Sequence, residues 1–71
     1  MIGFAYKNLG EYTKVLEFYN RALEIYVKVK GDESIEAADT LSWIGFTYKK
    51  LGEYTKTLEF YNRALEIYTK K

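Results

Sequence analysis

Ile44-Gly45-Phe46-Thr47-Tyr48-Lys49-Lys50-Leu51-Gly52-Glu53-Tyr54 restates a phrase found 42 positions earlier, Ile2-Gly3-Phe4-Ala5-Tyr6-Lys7-Asn8-Leu9-Gly10-Glu11-Tyr12. Extended in both directions, the match lays residues 2–29 on residues 44–71, and 23 of the 28 aligned positions are identical. The five that differ are Ala5/Thr47, Asn8/Lys50, Val15/Thr57, Val27/Thr69 and Val29/Lys71. Between the copies, Lys30 to Trp43 has no earlier counterpart, except that Met1 falls opposite Trp43. A fixed internal period marks a repeat architecture, in which units that cannot bury their apolar faces alone stack on one another. The chain therefore divides into a truncated unit, residues 1–29, and a full 42-residue unit, residues 30–71. Together they read as a fragment, natural or engineered, of a longer array.

Each unit reads as two helices. Over residues 36–51, Ala37, Leu41, Ile44, Tyr48 and Leu51 recur at spacings of four, three, four and three. At about 100° per residue they fall on one stripe. Ala38 and Gly45 lie at its edge, where small side chains allow a close helix crossing. Gly52 then breaks the pattern and suits a left-handed C-cap.

The second helix, about 53–70, has a wider apolar face. In the first copy, Tyr12, Leu16, Tyr19, Leu23 and Tyr26 form one seam, and Val15, Phe18, Ala22, Ile25 and Val29 form another beside it. Two seams imply two neighbours: the helix before and the first helix of the next unit. Between units, Gly31 is a C-cap candidate, and Asp32 or Ser34 is an N-cap. Glu33, Glu36 and Asp39 complement the dipole of the helix that follows.

Composition narrows the function. The 71 residues contain no Cys, His or Pro, and 11 basic side chains stand against 10 acidic ones. Without Cys or His there is no disulfide, no thiolate or imidazole metal site, and no base for a nucleophilic triad. Glu17/Glu24 and Glu59/Glu66 alternate with Lys and Arg as a solvated charge ladder. Neither a dinucleotide fingerprint nor a phosphate loop occurs. The expectation is no enzyme, no cofactor and no metal. A net charge of +1 argues against nucleic acid and against an anionic membrane surface. No apolar run approaches the roughly 20 residues of a bilayer span. The expected location is the cytoplasm.

Leu41-x-x-Ile44-Gly45-x-x-Tyr48, then Gly52-Glu53-Tyr54, then Tyr61-x-x-Ala64-Leu65, resembles the tetratricopeptide repeat, in a variant with a 42-residue period like that of kinesin light chains and of many bacterial and fungal arrays. The family usually has an alanine where Thr57 stands here, and often a Trp where Leu41 stands. Its usual proline after the second helix is replaced by the Gly31 loop. These departures bear on the tightness of the helix crossing and on the angle between repeats. The resemblance implies an all-α solenoid of antiparallel helix-turn-helix repeats, here about 1.7 repeats and four helices with the first truncated. It also implies a non-catalytic module that binds peptides in a concave groove.

By position, the resemblance places Asp39, Ser42, Phe46, Lys49 and Lys50 in that groove, with Phe4, Lys7 and Asn8 from the truncated copy. The helical wheel puts Phe46 and Trp43 opposite the Leu41/Ile44/Tyr48 stripe, beside Lys49 and Lys50, a surface suited to an acidic, hydrophobic peptide. Burial of Trp43 and Phe46 against a neighbouring unit is the competing reading, and the tyrosine seams are expected to be packing. A structural alternative is self-association. Solenoids need roughly three repeats and polar caps, whereas here the last helix keeps an apolar seam without a partner. The expected product is a homo-oligomer, domain-swapped or stacked end to end, through Leu58, Tyr61, Leu65, Tyr68 and Trp43.

Overall fold

The computed structural model of the chain describes the backbone of residues 2–70 and the side chains of residues 10–70. Three helices and no strand occur among the described residues: α1 over Ile2–Lys30, α2 over Ile35–Lys50 and α3 over Tyr54–Lys70. The all-α helical-repeat fold is as expected, but the helix count is three rather than four. The truncated first helix and the second helix of copy one are a single 29-residue element. Helix α1 runs straight through Gly10, while the identical Gly52 breaks the chain.

The stops are chemical. Gly31 and Gly52 adopt φ of +100° and +83°, conformations a side chain would resist. Gly52 N–H donates to the Lys49 carbonyl at 3.0 Å, and Glu53 N–H to the Tyr48 carbonyl at 2.9 Å, which satisfies the carbonyls at the end of α2. Of the two N-cap candidates, Ser34 is the one used: its hydroxyl accepts from Ala37 N–H at 3.1 Å.

Helix α2 lies between α1 and α3 and runs antiparallel to both. Along α3 the partners descend as α2 ascends: Glu33 meets Lys70, Asp39 meets Tyr68, and the Tyr48 ring stacks on Phe60 at 5.5 Å. Because two helices cover it, α2 buries more than the single stripe its sequence suggests. Ala37, Ala38, Thr40, Leu41, Ile44, Gly45 and Thr47 are all buried. The buried threonine hydroxyls are satisfied locally, Thr40 donating to the Glu36 carbonyl and Thr47 to the Trp43 carbonyl, each at 2.8 Å. Ala38, Leu41, Ala64 and Ile67 form the core cluster, with Leu23 of α1 and Phe60 of α3 packed against it.

The α2–α3 crossing is close at Gly45. A Cβ there would lie 2.8 and 2.9 Å from Cδ1 and Cε1 of Tyr61, and 3.3 Å from the Thr57 carbonyl oxygen. Thr57 itself is buried and donates its hydroxyl to the Glu53 carbonyl at 3.1 Å. A threonine at this position is thus compatible with a tight crossing, because its polar atom is turned back onto its own helix.

The molecule is elongated, 43 × 21 × 12 Å, with a radius of gyration of 13.2 Å. A compact globule of this length would have a radius near 11 Å. The long dimension matches 29 helical residues at about 1.5 Å each, so α1 sets it. Among the described residues no helix is long and apolar enough to cross a membrane.

Candidate protein-binding face

The exposed side of α2 carries Asp39, Trp43, Phe46 and Lys50, spaced four, three and four and therefore aligned along one edge. Burial of Ile44 and Leu41 on the opposite side fixes this orientation. Trp43 is 52% exposed and Phe46 40% exposed. Their rings meet edge to face, with centroids 6.0 Å apart and planes at 87°. From α1, Tyr19 stacks on Trp43 at 6.4 Å and 21°. At the other end the Lys50 ammonium sits 5.2 Å from the Phe46 ring centroid, within cation–π range. Tyr19, Trp43, Phe46 and Lys50 thus make a continuous aromatic ladder ending in a positive charge.

Its electrostatics are directional. Lys49 and Lys50 stand at the C-terminus of α2, where they complement the helix dipole, and Glu36 stands in its first turn. Glu36, Asp39, Thr40 and Trp43 of α2, with Tyr19, Ala22 and Tyr26 of α1, line a groove between these two helices. On the other flank, the Tyr68 hydroxyl of α3 donates to Asp39 Oδ1. That hydrogen bond to Asp39, aided by partial burial, raises the Tyr68 phenol above its ordinary pKa. Lys70 is raised as well, by its hydrogen bond and ion pair with Glu33 at 2.7 Å.

The sequence-expected groove residues are placed as follows. Asp39, Phe46, Lys49 and Lys50 are exposed on α2, and Ser42 beside them is half-buried. Phe4, Lys7 and Asn8 lie outside the residues whose side chains are described. Of the residues assigned to self-association, Leu58 and Leu65 are exposed on the outer side of α3, and Tyr61 is half-buried with its ring against Gly45. Trp43 and Tyr68 instead contact the groove residues Phe46 and Asp39. Sequence reasoning missed Tyr19 and Tyr26 as groove walls, since both sit on a seam that reads as packing. The available signal was that this seam faces the next unit's first helix, which brings its tyrosines to the edge of that helix's exposed face.

Sequence comparison now agrees with the architecture. The profile of the tetratricopeptide repeat family matches residues 1–70. The chain belongs to that family. No curated protein and no solved structure matches it significantly. Tetratricopeptide repeats are in general protein-interaction modules and non-catalytic scaffolds. Among the described residues, no group of three His, Cys, Asp or Glu side chains could hold a metal ion.

Proposed function

We propose that this tetratricopeptide-repeat chain, of the 42-residue-period kind, is a non-catalytic interaction module. Its α2 face takes an extended protein segment with an apolar or aromatic residue in the middle and an acidic residue at one end. The observation that carries this reading is the Tyr19–Trp43–Phe46–Lys50 ladder, with Trp43 and Phe46 exposed and Tyr19 half-buried beside them. Aromatic side chains supply contact area at low conformational cost. Lys49 and Lys50 at one end, with Glu36 and Asp39 at the other, give a ligand a preferred direction. Trp43 is the only tryptophan in the chain, so its fluorescence reports occupancy directly. Peptides of the form acidic–aromatic–neutral should quench or shift that signal. Phe46→Ala with Lys49→Ala should weaken binding at least about tenfold without changing the mass of the protein. Equal affinity for charge-reversed peptides would refute the assigned direction.

A second reading, self-association, is favoured by the outer side of α3. Tyr54, Leu58 and Leu65 are largely exposed there. An end-to-end stack would bury this seam, and Leu58→Glu with Leu65→Glu would then lower the mass in solution while leaving peptide binding intact.

A further inference from the structure

The two seams of the second helix are used in opposite ways in the two copies. In α3, Thr57, Ala64 and Ile67 are buried and Phe60 half-buried, because α2 covers them. The same positions in α1 are Val15, Ala22, Ile25 and Phe18. There Phe18 is 78% exposed and Ile25 60% exposed. Val15, Phe18, Tyr19 and Ala22, with Glu11 and Lys14 at the rim, line an open apolar groove.

What covers this seam in copy two is known. Over Thr57–Tyr61 it is the C-terminal half of α2, where Gly45 lies against Tyr61 and the Thr57 carbonyl and the Tyr48 ring stacks on Phe60, while Ala64 and Ile67 pack on Ala38 and Leu41 of its N-terminal half. The matching segment of copy one is Ile2–Leu9, identical to Ile44–Leu51 at six of eight positions. It cannot reach its own groove, because α1 continues as helix through Gly10. Gly3 is held about 24 Å along the same helix from Tyr19, sixteen residues away.

We propose that the groove on α1 is filled by Ile2–Leu9 of a second copy of this chain, in an antiparallel pair of α1 helices. Shifting the α2–α3 contacts by the repeat period puts Gly3 of one chain against Tyr19 of the other, and Tyr6 against Phe18. Both pairs are centred on Glu11–Tyr12, so one two-fold axis there satisfies both grooves at once. Such an interface is isologous and closed. Gly10 is the hinge: with the turn of copy two at this position the segment would fold back on its own chain, and as helix it is exchanged between chains. This inference rests on the self-association reading above but assigns the contact to α1 instead of α3.

The chain has no cysteine, so a designed bridge is unambiguous. Gly3→Cys combined with Tyr19→Cys should oxidise to a covalent dimer of twice 8.4 kDa. A bridge within one chain, or no bridge, overturns the assignment. Sedimentation supplies a readout that does not depend on those substitutions. Phe18→Glu should raise the dimer dissociation constant at least about tenfold, whereas Ile25→Glu, beyond the reach of the partner's segment, should change it less than about twofold. Inserting two glycines after Gly10 should convert the dimer to a monomer by permitting fold-back. An unaltered chain that is monomeric at high micromolar concentration overturns this inference together with the self-association reading. A dimer that survives Phe18→Glu and dissociates with Leu58→Glu keeps that reading and overturns the α1 pair.

Discussion

Leu9-Gly10-Glu11-Tyr12 and Leu51-Gly52-Glu53-Tyr54 are the same four residues, one in the middle of a helix and the other closing a helix and starting the next. Local propensity cannot separate them. Glycine inside a helix costs about 1 kcal/mol relative to alanine in both places. What differs is what lies across the turn. Breaking the helix at Gly52 lets α2 lay Ala38, Leu41 and Gly45 against α3, and fully burying a Leu contributes roughly 1.5–3 kcal/mol. At Gly10 the helix continues instead, and the segment before it, Ile2–Leu9, stays in line with the rest of α1. A glycine in a repeat therefore marks a place where a turn is allowed, and tertiary burial decides whether the turn is made.

The strongest way to break this comparison is a matched pair of substitutions. Ile67 and Ile25 are equivalent positions, 7% and 60% exposed. Ile67→Ala should cost about 2–4 kcal/mol by opening a cavity between α2 and α3. Ile25→Ala should stay within about 0.5 kcal/mol, as exposed changes do. Urea melts of the two variants under identical conditions measure both. Similar losses would mean that α1 and α3 do not use their seams differently.

A smaller effect is expected at the glycines themselves. Gly52 has φ of +83°, so Gly52→Ala should cost about 1–2 kcal/mol from left-handed strain alone. Gly10→Ala should stabilise by up to about 1 kcal/mol, since a Cβ there meets nothing within 4 Å and the helix gains propensity. Circular dichroism against temperature should show opposite shifts in the melting midpoint. Shifts of the same sign would show that Gly10 makes a turn in solution.

How much of this was legible in the sequence follows from what each feature depends on. Gly31, Gly52 and Ser34 were readable because a positive φ and a capping hydroxyl are local requirements. The repeat made the fold class readable. The two seams of the second helix implied two neighbours, but among the described residues α1 and α3 each pack on α2 alone, so one seam of each stays open. The unbroken helix at Gly10 was not readable, because the deciding quantity is burial far away in sequence. The double-sided burial of α2 was also hidden. Thr40 and Thr47 look polar, and only the backbone bonds they make to Glu36 and Trp43 let them sit inside. On α2, the exposure of Phe46, Lys49 and Lys50 was legible from the helical wheel. The contact of Tyr19 with Trp43 depends on how α1 crosses α2, which no spacing within one helix reveals.

The smallest effect concerns the polar links that tie α3 to the start of copy two, which have no counterpart in copy one because their partners Asp39 and Glu33 lie between the repeats. Both shifted groups have folded pKa values above their ordinary ones, Tyr68 through Asp39 and Lys70 through Glu33. A neutral phenol and a charged ammonium are thus the forms favoured by folding. Their contribution is fully present below about pH 10, the ordinary range of both groups, and is lost as pH rises through the folded values. Lys70 is exposed, so solvent screens its part of the effect. The expected result is a fall in melting midpoint as pH rises above about 10 that is smaller in Tyr68→Phe, by no more than about two degrees. Val27→Thr and Val29→Lys would make copy one match copy two over residues 26–29 without supplying an Asp39 or a Glu33, and should leave that alkaline slope unchanged. An altered slope in that variant would mean that the α3 links are not set by the segment between the repeats.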